Sequence, residues 1–163
     1  MGLYRRPNLQ ALVRLGMILY HKKPTVNFDG VDIGIMQMLD RGVVCDAFCQ
    51  ALRVFRYIPT VTSARDGVHG ASSAHGSGHA IDLRLRDLPG FGKSRSFRDT
   101  AQMIARTIAI DTQTECGFRP CVLIEWTAGS EHIHVQRGII GLKNPAEWVE
   151  PLFLEKGGPS WQS

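Results

Sequence analysis

The amino-acid sequence predicts an α+β fold, in which a small, mostly antiparallel sheet is flanked by helices. Apolar residues at helical spacing dominate the first third of the chain, and segments of strand-like composition follow in the middle. Two of these segments, CVLIEW and EHIHVQ, are separated only by residues 127–130, which is typical of an antiparallel hairpin. Helices therefore precede the sheet instead of alternating with its strands.

Two helical segments are predicted before the sheet. Residues 7–21 are predicted to form a helix, because Pro7 and Asn8 are typical of a helix start, and we expect it to end near His21. Residues 31–55 show the same apolar spacing, and the pair Arg41-Gly42 predicts a break within that segment.

The strands and the last helices follow from composition and alternation. YIPTVTSA has the composition of a strand, and HAIDLRL alternates so that Asp82 and Arg84 share one face while Ile81 and Leu83 share the other. Ser94 or Ser96 is expected to cap a helix that ends near Ile110. A short helix over residues 145–153 and a loose tail, EKGGPSWQS, complete the prediction.

Composition fits one soluble globular domain. The chain has 163 residues, of which 44% are hydrophobic and 21% charged, with no apolar run as long as a membrane span. We expect a monomer made in the cytoplasm without a signal peptide. Its single domain over residues 1–163 would comprise a helical part (about 1–56), a sheet carrying a metal site (about 57–137) and a C-terminal helix with its tail (138–163).

The balance of charge is mildly basic. A net charge of +4 favours any polyanion, nucleic acid or anionic cell-wall polymer alike, and no nucleic-acid motif accompanies it, so nucleic acid is not an expected partner. The four cysteines lack the spacing of a zinc knuckle and are expected to be reduced and mostly buried.

Three residues have the chemistry of a metal site. His75 lies in the small-residue stretch SSAHGSGHAIDL, Asp82 lies in the strand that follows it, and His134 lies in EHIHVQ. Two imidazole nitrogens and one carboxylate oxygen suit zinc and leave a fourth position for water. Gly76 and Gly78 allow the chain reversal that would direct His75 and Asp82 at one ion.

Strand parity adds two groups to this constellation. If the hairpin pairs Trp126 with Glu131, then Glu125 lies opposite His132, and both share one sheet face with His134. Ionisable groups on one face are costly to bury unless they bind something. Glu131 would point to the other face, unless the turn extends through it. The simpler alternative is that these histidines make only ordinary hydrogen bonds.

The residues Ser73, His75, Gly78, Ala80 and Asp82 match the S-x-H-x-x-G-x-A-x-D motif. In this respect the chain resembles the D-Ala-D-Ala metallopeptidases, which include the vancomycin-resistance carboxypeptidases and dipeptidases and phage L-Ala-D-Glu endolysins. The later H-I-H resembles the H-x-H of lysostaphin-type enzymes and of the zinc-bearing hedgehog domain. The resemblance covers roughly residues 57–137.

The resemblance implies zinc as the cofactor, with His75, Asp82 and His134 as its ligands. It implies that Ser73 steadies the ligand loop. It also implies that Arg65 binds the substrate carbonyl or carboxylate and the developing oxyanion.

Two residues are candidates for the catalytic base that the family carries. Glu131 has the E-x-x-H spacing of the dipeptidases, whereas Glu125 ends the preceding strand as in many phage members, and parity favours Glu125. His132 is a candidate to contact the zinc water or the substrate, and an ordinary strand histidine is the alternative.

The function implied is a zinc peptidase that hydrolyses peptidoglycan stem peptides next to a D-amino acid, as a D,D-carboxypeptidase or an L,D-endopeptidase. Such an enzyme would be released to the cell wall or carried by a phage particle. The competing interpretation is a non-catalytic, zinc-bearing binding or virion structural module of the same fold.

Overall fold

The computed structural model describes residues 16–66, 73–92, 95–138 and 152–158. In this part of the chain there are three helices, α1 (Ile33–Asp40), α2 (Val43–Leu52) and α3 (Arg95–Cys116). Six strands accompany them: β1 (His21–Lys22), β2 (Thr60–Ser63), β3 (Ala80–Arg84), β4 (Cys121–Glu125), β5 (His132–Gln136) and β6 (Leu154–Lys156). The predicted α+β class is therefore confirmed.

The six strands form one mixed sheet in the order β1-β2-β3-β5-β4-β6. The three central pairings, β2 with β3, β3 with β5 and β5 with β4, are antiparallel. The two outer pairings, β1 with β2 and β4 with β6, are parallel. The predicted antiparallel arrangement thus describes the centre of the sheet, and the short edge strands make the whole sheet mixed.

One face of the sheet packs against the helices and forms the core. Alternate residues of the three central strands are fully buried there, namely Ile81, Leu83, Val122, Ile124, Ile133 and Val135. Phe48 of α2 and Ile104 and Ile108 of α3 belong to the same cluster. Because side chains alternate along a strand, the intervening residues of β3, β4 and β5 lie on the opposite face. This second face carries the candidate site.

Several boundaries differ from the prediction. The break at Arg41-Gly42 is confirmed: Gly42 has a φ of 76° between α1 and α2, a backbone geometry that glycine adopts readily. His21, predicted near a helix end, instead lies in β1, where its N–H donates to the carbonyl of Pro59 at 2.8 Å. Helix α3 continues six residues beyond Ile110, and Ser96 lies inside it.

The tail also differs from the prediction, because Glu155 and Lys156, the first two residues of the supposedly loose segment, belong to β6 beside β4. Residues 7–15 of the first predicted helix, Ser94 and residues 145–151 of the last predicted helix lie outside the described residues. Within the described ranges, no helix combines the length and the apolar character needed to cross a membrane.

The cysteines are free thiols, as predicted. Cys45, Cys49 and Cys121 are buried and Cys116 is partly buried. Cys45 and Cys49 share one face of α2, where both thiols contact the carbonyl of Tyr57. The proximity of Cys45 lowers the pKa of the Cys49 thiol below its usual value, against the effect of burial. We find no metal-ligand geometry around this pair among the described residues.

Candidate metal centre

The sheet register and one loop bring His75, Asp82 and His134 together. Asp82 of β3 and His134 of β5 are direct partners across the sheet, and the His134 Nδ1 lies 2.9 Å from the Asp82 Oδ1. His75 approaches from the loop before β3, with its Nε2 3.2 Å from the same oxygen. The two imidazole rings meet edge to face, with centroids 5.0 Å apart. Two residues that are close in sequence thus converge with a third, 52 residues beyond Asp82, on one point.

The loop that carries His75 is a compact turn fixed by its own backbone. The N–H of Gly78 donates to the carbonyl of His75 at 2.9 Å, and the N–H of His79 donates to that of Ala74 at 2.8 Å. The N–H of Ser77 donates to the carbonyl of Ser73 at 3.2 Å, which places Ser73 at the start of the turn. The loop therefore holds a defined position before β3, as the glycine spacing predicts.

Two neighbouring segments fasten this turn to the domain. The N–H of Asp32, which caps α1, donates to the carbonyl of Gly78 at 2.8 Å, and the N–H of Arg137 donates to that of His79 at 2.8 Å. The guanidinium of Arg137 in turn contacts both carboxylate oxygens of Asp32, at 3.1 and 3.2 Å. The ion pair thus joins the start of α1 to the end of β5, and the two segments hold the turn between them.

Replacing Gly78 by alanine should destabilise the protein and weaken metal binding. Gly78 has a φ of 79°, and a Cβ there would lie 2.2 Å from the carbonyl oxygen of Gly30. The positive φ alone costs about 1–2 kcal/mol in alanine. Gly90→Ala is the matched control, because Gly90 has a φ of 83° but open space around its Cα. Thermal melting should show a drop several degrees larger for Gly78→Ala; equal drops would contradict this packing.

Each histidine is oriented by a hydrogen bond from its second ring nitrogen. The His75 Nδ1 donates to the carbonyl of Ala64 at 2.9 Å, which leaves Nε2 as the nitrogen that faces Asp82 and would bind a metal. The His134 Nε2 donates to the Gln136 Oε1 at 2.9 Å, which leaves Nδ1 as the nitrogen that faces Asp82 and would bind a metal. Gln136 is itself fixed, since its Nε2 lies 3.4 Å from the carbonyl of Gly138 and must be the donor there. Such acceptors behind metal-binding histidines fix their tautomer and orientation.

Loss of the Gln136 acceptor should lower metal affinity by about 10- to 100-fold, as is typical for such supporting residues. The expected cause is the freed rotation and tautomer of His134. Gln136→Met removes the acceptor at similar size, and Gln113→Met on the exposed surface of α3 is the control. Competition of each purified variant against a zinc-binding dye measures the change. An affinity in Gln136→Met equal to that of Gln113→Met would contradict the assigned orientation.

The residues present fit a metal ion. One ligand atom from each of His75, Asp82 and His134 lies within 4.8 Å of the others, so this group could hold a metal. Two ligands of a tetrahedral zinc ion lie about 3.3 Å apart, given zinc–ligand distances of about 2.0–2.1 Å. The 2.9 and 3.2 Å separations from the Asp82 Oδ1 are close to that value.

The charges of the cluster favour a bound cation. Burial opposes ionisation of Asp82, but hydrogen bonds and charge from His134 and His75 outweigh it and hold the pKa of Asp82 well below its usual range. For His75, burial lowers the pKa, but the contact with Asp82 and the bond to Ala64 raise it above the usual value. Asp82 therefore stays ionised at any pH at which the histidines are free to bind metal.

Metal affinity and metal-free stability should depend on pH in opposite directions. Because the pKa of His75 is raised in the folded chain, its protonation stabilises the metal-free protein below about pH 6.5, and this contribution disappears as pH rises through the folded pKa. The same proton competes with the metal for His75, so zinc affinity should rise as pH rises through the folded pKa of His75. Calorimetric titrations and thermal melts at pH 5.5–8 measure both, and a zinc affinity independent of pH would contradict ligation by His75.

A second pair of groups lies next to the cluster on the same face. His132 is paired across the sheet with Glu125 on one side and with Arg84 on the other. Its Nε2 lies 3.0 Å from the Glu125 Oε2 and 3.7 Å from the Asp82 Oδ1. The Glu125 Oε1 accepts from the Lys156 Nζ at 3.0 Å. The predicted parity, with Glu125 opposite His132, is thus confirmed. The imidazole of His132 lies between Glu125 and Asp82.

Glu131 and Arg65 have surroundings of their own. Glu131 precedes β5 and is buried, and its Oε1 accepts from the N–H of Gly129 at 3.1 Å, so the turn does extend through it. The Arg65 side chain is exposed, and its guanidinium donates to the carbonyls of Gly76 at 3.3 Å and Asp29 at 3.4 Å. Arg65 therefore contacts the His75 loop, and its role with substrate stays a prediction.

Sequence reasoning missed two contributors to this site, Gln136 and the carbonyl of Ala64. The sequence could have indicated Gln136, because it lies two residues after His134 and so shares its sheet face. Nothing in the sequence indicated the contribution of the Ala64 carbonyl. Comparison with known proteins adds no relative: no protein-family model matches the chain, and no curated protein or solved structure matches it.

Proposed function

We propose that this protein is a zinc-dependent peptidase that hydrolyses peptidoglycan stem peptides next to a D-amino acid. The observation that carries the proposal is the convergence of His75, Asp82 and His134, with Glu125 one imidazole away on the same face. A metal-ligand group beside a second carboxylate is what metal-assisted hydrolysis of an amide requires.

Zinc is the metal that this donor set fits best. Two imidazole nitrogens and one carboxylate oxygen form a three-ligand set that leaves a fourth position open, as in catalytic zinc sites. When bound, zinc supplies Lewis acidity, which polarises a peptide carbonyl and lowers the pKa of a coordinated water toward neutrality.

The protein's own residues supply the proton transfers. We assign the general base to Glu125, whose Oε2 faces His132 and through it Asp82. That oxygen would accept a proton from the attacking water and return it to the leaving amine. The Nδ1 of His132 donates to the carbonyl of Ser130 at 2.5 Å, which directs its Nε2 toward the two carboxylates. Glu131 is the alternative base, with the E-x-x-H spacing in its favour.

The substrate class rests on the resemblance of residues 73–82 to the D-Ala-D-Ala metallopeptidase motif, and on the mildly basic charge, which suits an anionic cell-wall polymer. Arg65 would bind the substrate carbonyl and the oxyanion, with Ser73 steadying the loop. Both D,D-carboxypeptidase and L,D-endopeptidase activity fit these groups. An endolysin released to the cell wall or carried by a phage particle is the corresponding biological setting.

Zymography on purified cell walls tests the proposal. The zinc-loaded protein should clear a peptidoglycan gel, a chelator should abolish the clearing, and added zinc should restore it. Clearing that persists in the chelator would contradict a metal-dependent mechanism. A chain that binds zinc tightly but never clears the gel would instead be a non-catalytic zinc-bearing binding or virion structural module.

A further inference from the structure

A cleft of about 270 Å³ opens beside the metal cluster, where Asp82 belongs to both and the neighbouring His132 also lines the cleft. The side chains that distinguish this cleft are cationic or carry hydroxyl groups: Lys23, Arg84, Arg86, Thr62, Ser63 and Ser130. Anything bound at the metal cluster would therefore lie next to a surface rich in hydrogen-bond donors.

Two separate segments bring the three cations to this cleft. Arg84 ends β3 directly opposite His132, and Arg86 follows two residues later. Lys23 follows β1, and its N–H donates to the carbonyl of Val61 at 3.0 Å, which fixes it beside β2. Like charges gathered in this way repel one another unless acidic groups or a bound anion compensate them.

The neighbouring acids compensate the cations only in part. The Arg84 Nη1 contacts the Asp87 Oδ2 at 2.9 Å, which occupies one of the five N–H donors of that guanidinium. Asp82 is hydrogen-bonded to His75 and His134, and it would bind the metal when one is present. Glu131, which is buried and accepts from the N–H of Gly129, is then the remaining carboxylate in the described lining, against three cationic side chains in the same lining.

We propose that this cleft binds a carboxylate of the peptide whose scissile bond lies at the metal centre. The inference rests on the proposed function, and it names the recognition element that positions the substrate. Lys23 and Arg86, both exposed, supply charged donors from opposite segments, and the hydroxyl groups of Ser63 and Ser130 supply neutral ones. Charge-assisted hydrogen bonds of this kind are stronger than neutral ones.

A stem peptide offers this chemistry from two sources. The carboxylate at its C-terminus would enter the cleft in a carboxypeptidase, whereas a carboxylate on an internal residue would enter it in an endopeptidase. Amidation of each in turn therefore tests the cleft and shows which part of the peptide occupies it.

The experiment measures peptide binding by calorimetry to the zinc-loaded Glu125→Gln protein. The probes are an L-Ala-D-Glu-diaminopimelate-D-Ala-D-Ala pentapeptide and two forms of it, amidated at the C-terminus or at the internal carboxylates. One amidation should weaken binding about ten-fold or more. If the variant still hydrolyses the peptide, the KM ratio of the same three probes replaces the Kd ratio.

Charge-removing variants then locate the contact. Adding Arg86→Gln or Lys23→Gln should bring the free and amidated peptides to nearly equal affinity. Arg56→Gln, an exposed arginine outside the cleft lining, should leave the ratio unchanged. Because the readout is a ratio within one variant, a modest loss of stability does not mimic it.

Three results would overturn the inference: equal binding of all three peptides, no measurable binding of any, or an unchanged ratio in both cleft variants. These outcomes are separable from failure of the proposed function. Discrimination between carboxylate and amide without any hydrolysis would leave the cleft assignment standing and contradict the peptidase. Hydrolysis without discrimination between carboxylate and amide would support the peptidase and contradict the cleft assignment.

Discussion

Replacing Asp82 by asparagine should weaken zinc binding by about a hundred-fold or more. Structural zinc sites with four ligands bind with about 10–16 kcal/mol, so the share of one ligand is roughly 3 kcal/mol. Asp82 supplies the one negative charge of the cluster and lies within 3.2 Å of both ligand nitrogens. Competition against a zinc-binding dye measures the loss.

Asp99→Asn on the exposed face of α3 is the control for Asp82→Asn, since it removes one carboxylate charge away from the site. Both variants must be measured at a temperature at which they are folded, because Asp82 also pairs with His75 and His134 without metal. An Asp82→Asn protein that binds zinc as tightly as Asp99→Asn would exclude Asp82 as a ligand.

Replacing Glu125 by glutamine should lower peptide hydrolysis by at least about 10²- to 10⁴-fold, the range that a general base contributes. Zinc affinity should stay within a few-fold of the parent, because Glu125 is not one of the three grouped ligands. Product release from stem peptides, measured with equal zinc content in both proteins, gives the comparison.

Glu131→Gln is the matched variant, since it removes the same charge from the other candidate base. We expect it to retain far more activity than Glu125→Gln, because strand pairing places Glu125 opposite His132 on the site face, with its Oε2 3.0 Å from the His132 Nε2, whereas Glu131 precedes β5 and lies outside that pairing. Full activity in Glu125→Gln together with loss in Glu131→Gln would move the base to Glu131.

The centre of the sheet could be predicted because its strands carry strong local signals. In β3, Ile81 and Leu83 alternate with Asp82 and Arg84, and this alternation alone assigns the core face and the site face. The short turn after β4 fixes the register of the hairpin, so the pairing of Glu125 with His132 also follows from the sequence.

The edge strands could not be predicted in this way. Strands β1 and β6 have only two and three residues, too few to show a period, and each exists through hydrogen bonds to a strand distant in sequence. The ion pair between Lys156 and Glu125 was therefore not predictable either, because it depends on the parallel pairing of β6 with β4.

The candidate site was predictable in its ligands but not in its surroundings. His75, Asp82 and His134 are chemically conspicuous, and the strand pattern predicts that Asp82 and His134 share a sheet. The cleft was not predictable, because it gathers Lys23, Arg86 and others from segments whose packing depends on the complete fold. The position of the Arg65 guanidinium against Gly76 likewise depends on a long side chain whose conformation the sequence does not specify.

Product analysis of digested peptidoglycan tests the central claim most directly. Purified stem-peptide fragments are incubated with the zinc-loaded protein in ¹⁸O-labelled water and analysed by mass spectrometry. The proposed function predicts fragments cut beside a D-amino acid, with one ¹⁸O in the new carboxyl group, and no such fragments after metal removal or in Asp82→Asn. Intact fragments throughout, with zinc bound and the protein folded, would contradict the assignment of this protein as a peptidoglycan peptidase.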